Sequence, residues 1–216
     1  MTDGVSLKVC GLTNQADAEF AAQAGADYLG FILHPDSPRY LSLAQFGSFA
    51  PALPKGRKVA VAVEPSPAQL VEMSAAGFDF FQVHFRHDLP LSAVAGWAQA
   101  VGVDRLWLAP KLPPGISVPA AILPLTRTFL FDTYHVRKFG GTGETGDWNK
   151  FKRHRRLHPK KTWILSGGLN PVNISDALRQ SGARFVDVSS GVESAPGVKD
   201  HGKLQRLVEK LHERRA

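Results

Sequence analysis

Short apolar runs alternate with longer amphipathic runs from one end of this chain to the other, and there are eight of each. One apolar run and the amphipathic run after it span about 20 to 30 residues, the length of one strand–helix unit. Eight such units predict a (β/α)8 TIM barrel, a single α/β domain covering residues 1–216. The strands are predicted at residues 7–10, 28–33, 58–64, 80–85, 105–109, 128–132, 162–166 and 185–189.

An open, doubly wound sheet is the alternative architecture, because it also alternates strands with helices. Closure is favoured by the number of units, eight rather than five or six, and by the glycine-rich turns that follow the late strands. The weakest unit is the fifth, where Pro113, Pro114, Pro119 and Pro124 leave room only for a short helix at residues 118–123.

The composition is that of a folded, soluble chain, with 44% hydrophobic and 21% charged residues. Cys10 is the single cysteine, so it forms no internal disulfide and cannot build a zinc site by itself. A chain of this kind is expected in a reducing compartment, and we expect the cytoplasm. The amino terminus lacks a basic stretch followed by an apolar run, and no 18 consecutive residues are apolar, so secretion and membrane spanning are not expected.

The formal net charge is +7, and seven Lys or Arg residues fall within residues 150–161. This basic run covers the predicted helix after the sixth strand and the turn into the seventh, away from the carboxyl ends of the strands. Phe151 is the only aromatic residue in the run, and the run matches no nucleic-acid recognition motif. A solvated outer face is therefore favoured, and we expect neither a nucleic-acid partner nor a membrane partner.

Polar and glycine-rich positions cluster at the ends of the predicted strands. In a parallel barrel the active site is built at the carboxyl ends of the strands and in the loops that follow them. This concentration predicts a site at that end of the barrel. The positions concerned are Cys10, residues 34–39, Glu64, Gln82, His84, Asp132 and residues 140–143, 166–168 and 189–191.

The glycines after the sixth, seventh and eighth strands predict a phosphate-binding site. Their backbone amides can approach an anion closely because no β-carbon intervenes, although tight turns alone would also explain them. The predicted phosphate-binding residues are Gly141, Thr142, Gly143, Gly167, Gly168, Ser190 and Gly191.

Other polar side chains at the same end suit a small substrate. Arg39 lies in a loop stiffened by Pro35 and Pro38, where its guanidinium can bind a carboxylate through two hydrogen bonds; a solvated loop arginine is the alternative. Gln82 and His84 share strand parity, so both are predicted to face the lumen and bind substrate, while His84 is equally explained as a core histidine.

The interior of the predicted barrel also contains a candidate ion pair. Lys8 shares parity with Cys10 on the first strand, and Asp187 faces the same interior from the eighth strand. These two strands are neighbours only when the barrel closes. Because an isolated buried lysine is costly, we predict that Lys8 and Asp187 pair in the lumen.

Several motifs together resemble those of the phosphoribosylanthranilate isomerases. They are KVCGLT, GADYLGFILHPDSPRYLS, QVH, FDT followed by GGTG, LSGGLNPVNI and VDVSSGVESAPGVKD, in the order and at a spacing similar to the family's, from Lys8 to Asp200. The resemblance implies a TIM-barrel isomerase of tryptophan biosynthesis. Its reaction is the Amadori rearrangement of N-(5-phosphoribosyl)anthranilate to 1-(2-carboxyphenylamino)-1-deoxyribulose 5-phosphate.

The resemblance also implies roles for individual residues. Asp132 would be the general acid for the sugar ring oxygen, Cys10 the general base for the adjacent carbon, and Arg39 the partner of the anthranilate carboxylate. Because ring opening yields an iminium that accepts electrons, neither a metal nor a cofactor is expected. Without the motifs, Cys10 would be interpreted as a small buried residue and Asp132 as a turn or helix cap.

Three positions depart from the family's usual pattern. Phe85 replaces a usual glycine and is a candidate for narrowing the mouth of the barrel; Glu144 replaces a common lysine near the expected phosphate loop, and Gly146 a common phenylalanine. The alternatives for function are another barrel enzyme acting on a phosphorylated aminosugar, or a catalytically silent phospho-ligand binder. The presence of both Cys10 and Asp132 argues against the silent binder, and the sequence makes no prediction of oligomeric state.

Overall fold

The computed structural model describes residues 4–132 and 147–213. Eight parallel strands follow one another in chain order around a closed barrel, and the circle is completed where the first strand pairs with the eighth. The predicted closed barrel is therefore confirmed, and the open sheet is excluded. The strands are β1 (Ser6–Cys10), β2 (Tyr28–Ile32), β3 (Lys58–Val63), β4 (Phe80–Arg86), β5 (Leu106–Lys111), β6 (Thr128–Phe131), β7 (Thr162–Leu165) and β8 (Phe185–Val188).

Seven α-helices in the described part of the chain surround the barrel. Two of them, those after the second and third strands, begin at capping boxes in which Ser42 and Ser66 accept hydrogen bonds from the backbone of Gln45 and Gln69. A short hairpin, β9 (Glu193–Ala195) and β10 (Val198–Lys199), follows β8. The helices are α1 (Gln15–Ala24), α2 (Leu43–Phe49), α3 (Pro67–Ala75), α4 (Leu91–Val101), α5 (Trp148–Leu157), α6 (Ile174–Ser181) and α7 (His201–Glu213). None of the helices within these ranges is long and apolar enough to cross a membrane.

The fifth unit contains the short helix that is predicted there, beginning two residues later in the chain. It is a 3-10 helix, Ala120–Leu125, whereas the other seven units carry α-helices in the described part of the chain. Pro124 lies inside this element and cannot donate a backbone hydrogen bond, which limits the segment to the shorter repeat.

Three residues of the basic run stabilise this irregular unit. Lys161 Nζ donates to the carbonyls of Leu123 (2.5 Å) and Thr126 (2.7 Å), and Lys150 Nζ donates to that of Pro113 (3.0 Å). The buried His154 ring accepts from the Val118 amide at 3.4 Å. The prediction of a solvated face is therefore wrong for part of the run: Lys152, Arg153, Arg156 and Lys160 are exposed, but Lys150, His154 and Lys161 bind backbone groups of the fifth unit.

Side chains alternate between two cores along every strand. The larger core lies between the barrel and its helices, and the smaller one fills the lumen. Four aromatic rings close the amino-terminal end of the lumen, with Tyr28 5.0 to 5.4 Å from the rings of Phe80, Trp107 and Phe185. A small molecule can therefore reach the interior only from the carboxyl ends of the strands.

Candidate active site

The barrel brings most of the predicted site residues to one rim. Cys10 is the last residue of β1, His84 lies near the end of β4, and Asp132 directly follows β6. Gly167 and Gly168 follow β7, and Ser190 and Gly191 follow β8 in a 3-10 helix, Ser190–Val192. Since all eight strands run in the same direction, these positions surround a single opening.

Cys10 is buried in the lumen, with 5% of its surface exposed. Its thiol and the Lys8 amine both lie against Gly30 of the neighbouring strand: a β-carbon there would come within 3.0 Å of Cys10 Sγ and Lys8 Nζ. Burial raises the pKa of the Cys10 thiol, and the positive charge of Lys8 acts against that shift. Glycine at position 30 thus leaves the space in which an amine and a thiol lie side by side.

Lys8 is held by a second contact across the barrel closure. Its Nζ lies 2.9 Å from Asp187 Oδ1, both side chains are buried, and the two residues are register partners between β1 and β8. Burial favours the neutral amine, but attraction to Asp187 and Cys10 prevails and raises the pKa of Lys8. The predicted Lys8–Asp187 pair is confirmed, and it keeps a positive charge beneath Cys10.

Arg39 is buried in an ion cluster that the sequence analysis did not predict. Its Nε and Nη2 donate to both carboxylate oxygens of Glu193, at 2.7 to 3.1 Å. Lys199 Nζ donates to the same carboxylate at 2.8 Å. The hydrogen bonds to Glu193 raise the pKa of Arg39; burial lowers the pKa of Lys199, and Glu193 opposes that shift. The guanidinium is therefore held in place by a carboxylate of the chain itself.

Gln82 and His84 both face the lumen, as predicted. Gln82 Nε2 lies 2.7 Å from His84 Nε2, and Oε1 of the buried Gln82 has no hydrogen-bond partner among the described residues. Burial, together with the charge of Lys8 and of His34, lowers the pKa of His84 to about 3. The imidazole is therefore neutral at neutral pH and acts as a hydrogen-bonding group rather than a cation.

Asp132 has the parity of Leu130, which packs in the lumen core, so it continues the inner face of β6. In the turn after β7, Gly167 (φ 97°) and Gly168 (φ 62°) adopt left-handed conformations that favour glycine. A β-carbon at Gly191 would lie 2.0 Å from the Leu169 carbonyl oxygen, so the turns after β7 and β8 touch through their backbones. Gly141, Thr142 and Gly143 lie outside the described residues.

Within residues 4–132 and 147–213, no group of three or more His, Cys, Asp or Glu side chains is arranged to hold a metal ion. The site consists of polar side chains, one thiol and several glycine turns around a barrel whose amino-terminal end is closed by aromatic rings. Such a set suits proton transfer on an anionic small molecule.

Comparison with known proteins gives this arrangement a family. Residues 7–210 match the family described as N-(5'phosphoribosyl)anthranilate (PRA) isomerase. The chain belongs to the N-(5'-phosphoribosyl)anthranilate isomerase family.

This chain is similar to individual members of the isomerase family along nearly the whole length of both chains. The N-(5'-phosphoribosyl)anthranilate isomerase of Cereibacter sphaeroides is 34% identical over 95% of this chain and 98% of its own. The crystal structure of phosphoribosyl anthranilate isomerase from Thermus thermophilus superposes with a TM-score of 0.82 at 27% identity, covering 97% and 99% of the two chains. The structure of a phosphoribosyl anthranilate isomerase in complex with reduced 1-(o-carboxyphenylamino)-1-deoxyribulose 5-phosphate has a TM-score of 0.73 at 28% identity, covering 96% of this chain and 98% of that chain. The resemblance drawn from the motifs is therefore confirmed.

One departure from the isomerase family pattern is resolved by the structure. Phe85 points away from the lumen, is 2% exposed and packs edge-on against Trp97, with ring centroids 5.3 Å apart. It therefore does not narrow the mouth, contrary to the interpretation from sequence, because its parity is opposite to that of His84. Glu144 and Gly146 lie outside the described residues.

Sequence reasoning missed three features of this isomerase site. Glu193 and Lys199 were present in the VESAPGVKD motif, but nothing local in the sequence connects them with Arg39, 154 residues from Glu193. The aromatic floor had a usable signal, since Tyr28, Phe80 and Phe185 are each the first residue of a strand. Aromatic residues at equivalent strand starts could have been interpreted as one layer of the lumen.

Proposed function

We propose that this chain catalyses the Amadori rearrangement of N-(5-phosphoribosyl)anthranilate, with Cys10 as general base and Asp132 as general acid. Family membership makes it an isomerase of tryptophan biosynthesis acting on a phosphorylated small molecule. The observation that carries the assignment of roles is the position of the thiol: Cys10 ends β1 in the lumen, against a charged lysine, while Asp132 follows β6, three strands away around the barrel.

The reaction begins at the furanose ring oxygen. Asp132 donates a proton to that oxygen, and the bond between the oxygen and C1 breaks, which leaves an iminium between C1 and the anthranilate nitrogen. The Cys10 thiolate then removes the proton on C2, and the electron pair of that bond moves to the iminium to give an enolamine. Protonation of C1 and loss of the enol proton complete the ketose.

Lys8 supports the second step. A thiol must lose its proton before it can act as a base, and burial opposes that loss. The amine of Lys8, kept charged by Asp187, favours the thiolate through its positive charge beside Cys10. Lys8 is therefore a positioning residue for the base.

The remaining residues bind the substrate in this proposal. Arg39 binds the anthranilate carboxylate, and the neutral His84 with Gln82 forms hydrogen bonds to the sugar; the unpartnered Gln82 Oε1 supports this role. The backbone contact between the turns after β7 and β8 supports a shared phosphate site. Its residues would be Gly141, Thr142, Gly143, Gly167, Gly168, Ser190 and Gly191. A catalytic thiol must also stay reduced, which supports a cytoplasmic location.

The direct test follows consumption of N-(5-phosphoribosyl)anthranilate by the purified protein through its fluorescence. Mass spectrometry of the product separates isomerisation, which keeps the substrate mass, from hydrolysis, which releases anthranilate. We expect isomerisation well above a reaction without protein. If substrate disappears only by hydrolysis and at the uncatalysed rate, the proposed function is wrong.

A further inference from the structure

Arg39 and Glu193 join two loops that flank the strand carrying Cys10. Arg39 follows β2 and Glu193 follows β8, and in the barrel these strands are the two neighbours of β1. The Arg39 side chain crosses the end of β1 so closely that a β-carbon at Gly11 would lie 2.6 Å from Arg39 Cδ. The ion pair therefore spans the position directly after the proposed base.

The geometry of the pair leaves a defined part of the guanidinium available. Glu193 accepts from Arg39 Nε at 2.8 and 3.1 Å and from Nη2 at 2.7 Å. A guanidinium has five N–H donors, so this contact leaves three of them, two on Nη1 and one on Nη2, outside it. One N–H of Nη1 and the remaining N–H of Nη2 point in the same direction and form the end of the fork, an edge that matches a second carboxylate.

The pair of Arg39 and Glu193 by itself has no net charge and would attract an anionic substrate only weakly. Lys199 adds a second positive charge to the pair. Its side chain is fully buried, it donates to Glu193 Oε1 at 2.8 Å, and its charge also acts on Cys10. Two cations share one carboxylate, which leaves one positive charge in excess beside the thiol.

We propose that Glu193 and Lys199 are positioning residues for Arg39 and set the preference for a substrate that carries a carboxylate. Glu193 fixes the guanidinium with its free edge available, and Lys199 supplies the positive charge that Glu193 removes. This inference rests on the proposed function, because it assigns Arg39 to the anthranilate carboxylate. It adds two residues that touch Arg39 rather than the substrate.

The experiment compares two substrates, N-(5-phosphoribosyl)anthranilate and N-(5-phosphoribosyl)aniline, which lacks only the carboxylate. For Glu193→Gln and for Lys199→Met we expect KM for the anthranilate substrate to rise about tenfold, the size expected for one charge-assisted hydrogen bond, with kcat within about threefold of wild type. The kcat/KM for the aniline substrate should change less than about threefold, so the preference for the carboxylate falls about tenfold. Ser194→Ala, at an exposed neighbour of Glu193, is the control and should keep the wild-type preference.

The outcomes separate this inference from the proposed function. An equal loss on both substrates in both variants would show a merely structural role and overturn the inference, as would an unchanged preference. Lys199→Met keeps the test valid if Glu193→Gln does not fold. A wild-type protein that isomerises neither substrate would contradict the proposed function and this inference with it, whereas an active wild type with unaltered variants contradicts the inference alone.

Discussion

The thiol of Cys10 is subject to two opposing effects. Burial disfavours its ionised form, while Lys8, fixed by Asp187 across the barrel closure, favours it. The same amine contributes to the low pKa of His84, so one buried charge affects two lumen groups. The ionisation of the proposed base therefore depends on a residue that would not touch the reacting atoms.

Replacing Lys8 with methionine should shift the ionisation of Cys10 to higher pH. An opposite charge at hydrogen-bond range lowers a pKa by about one to three units, so its loss should move the thiol pKa upward by at least about one unit. Activity that requires the thiolate should then appear only at higher pH and be weaker at neutral pH. Because Cys10 is the only cysteine, the pH dependence of its alkylation by iodoacetamide measures this shift directly.

Lys58→Met is the matched control for that experiment. Lys58 is also a buried lysine paired with an aspartate, Asp79 at 3.5 Å, but it does not contact Cys10. Its replacement should leave the alkylation profile at the wild-type position. An identical profile for Lys8→Met and wild type would mean that Lys8 does not control the thiol.

The fifth strand–helix unit shows how one element can be stabilised by the next. Prolines prevent an α-helix there, and carbonyls of this unit are bound by lysines of α5 and of the turn after it. A basic run that resembles a solvated face thus has two kinds of lysine, exposed ones and ones that replace backbone hydrogen bonds.

Adjacent lysines in the turn after α5 allow a direct comparison. Lys161→Met removes hydrogen bonds to Leu123 and Thr126 and should lower the free energy of unfolding by about 1 to 2 kcal/mol, as expected for partly exposed charge-assisted bonds. Lys160→Met, at an exposed site, should change it by less than about 0.5 kcal/mol. Urea denaturation measures both, and equal stabilities for the two variants would show that these contacts contribute nothing.

At the scale of the molecule, the barrel could be predicted because its signal is periodic and repeated. Strand parity also placed Lys8 with Asp187 and Gln82 with His84, since alternation along a strand is a local property. The conformation of the fifth unit is harder to predict, because its 3-10 segment is stabilised by hydrogen bonds from side chains of another element. The partners of Arg39 were hidden for a related reason: they come from a distant loop that only closure of the barrel brings near.

The central claim is that a thiol and a carboxyl at one barrel mouth perform the isomerisation. Its most direct test is the turnover of Cys10→Ala and Asp132→Asn on N-(5-phosphoribosyl)anthranilate, beside Asp176→Asn, which alters an exposed carboxylate on the outer helix α6. We predict that each site variant loses at least about two orders of magnitude in kcat, as for a lost general base or acid, while KM changes little and Asp176→Asn keeps wild-type turnover. Near-normal turnover of either site variant would contradict the account.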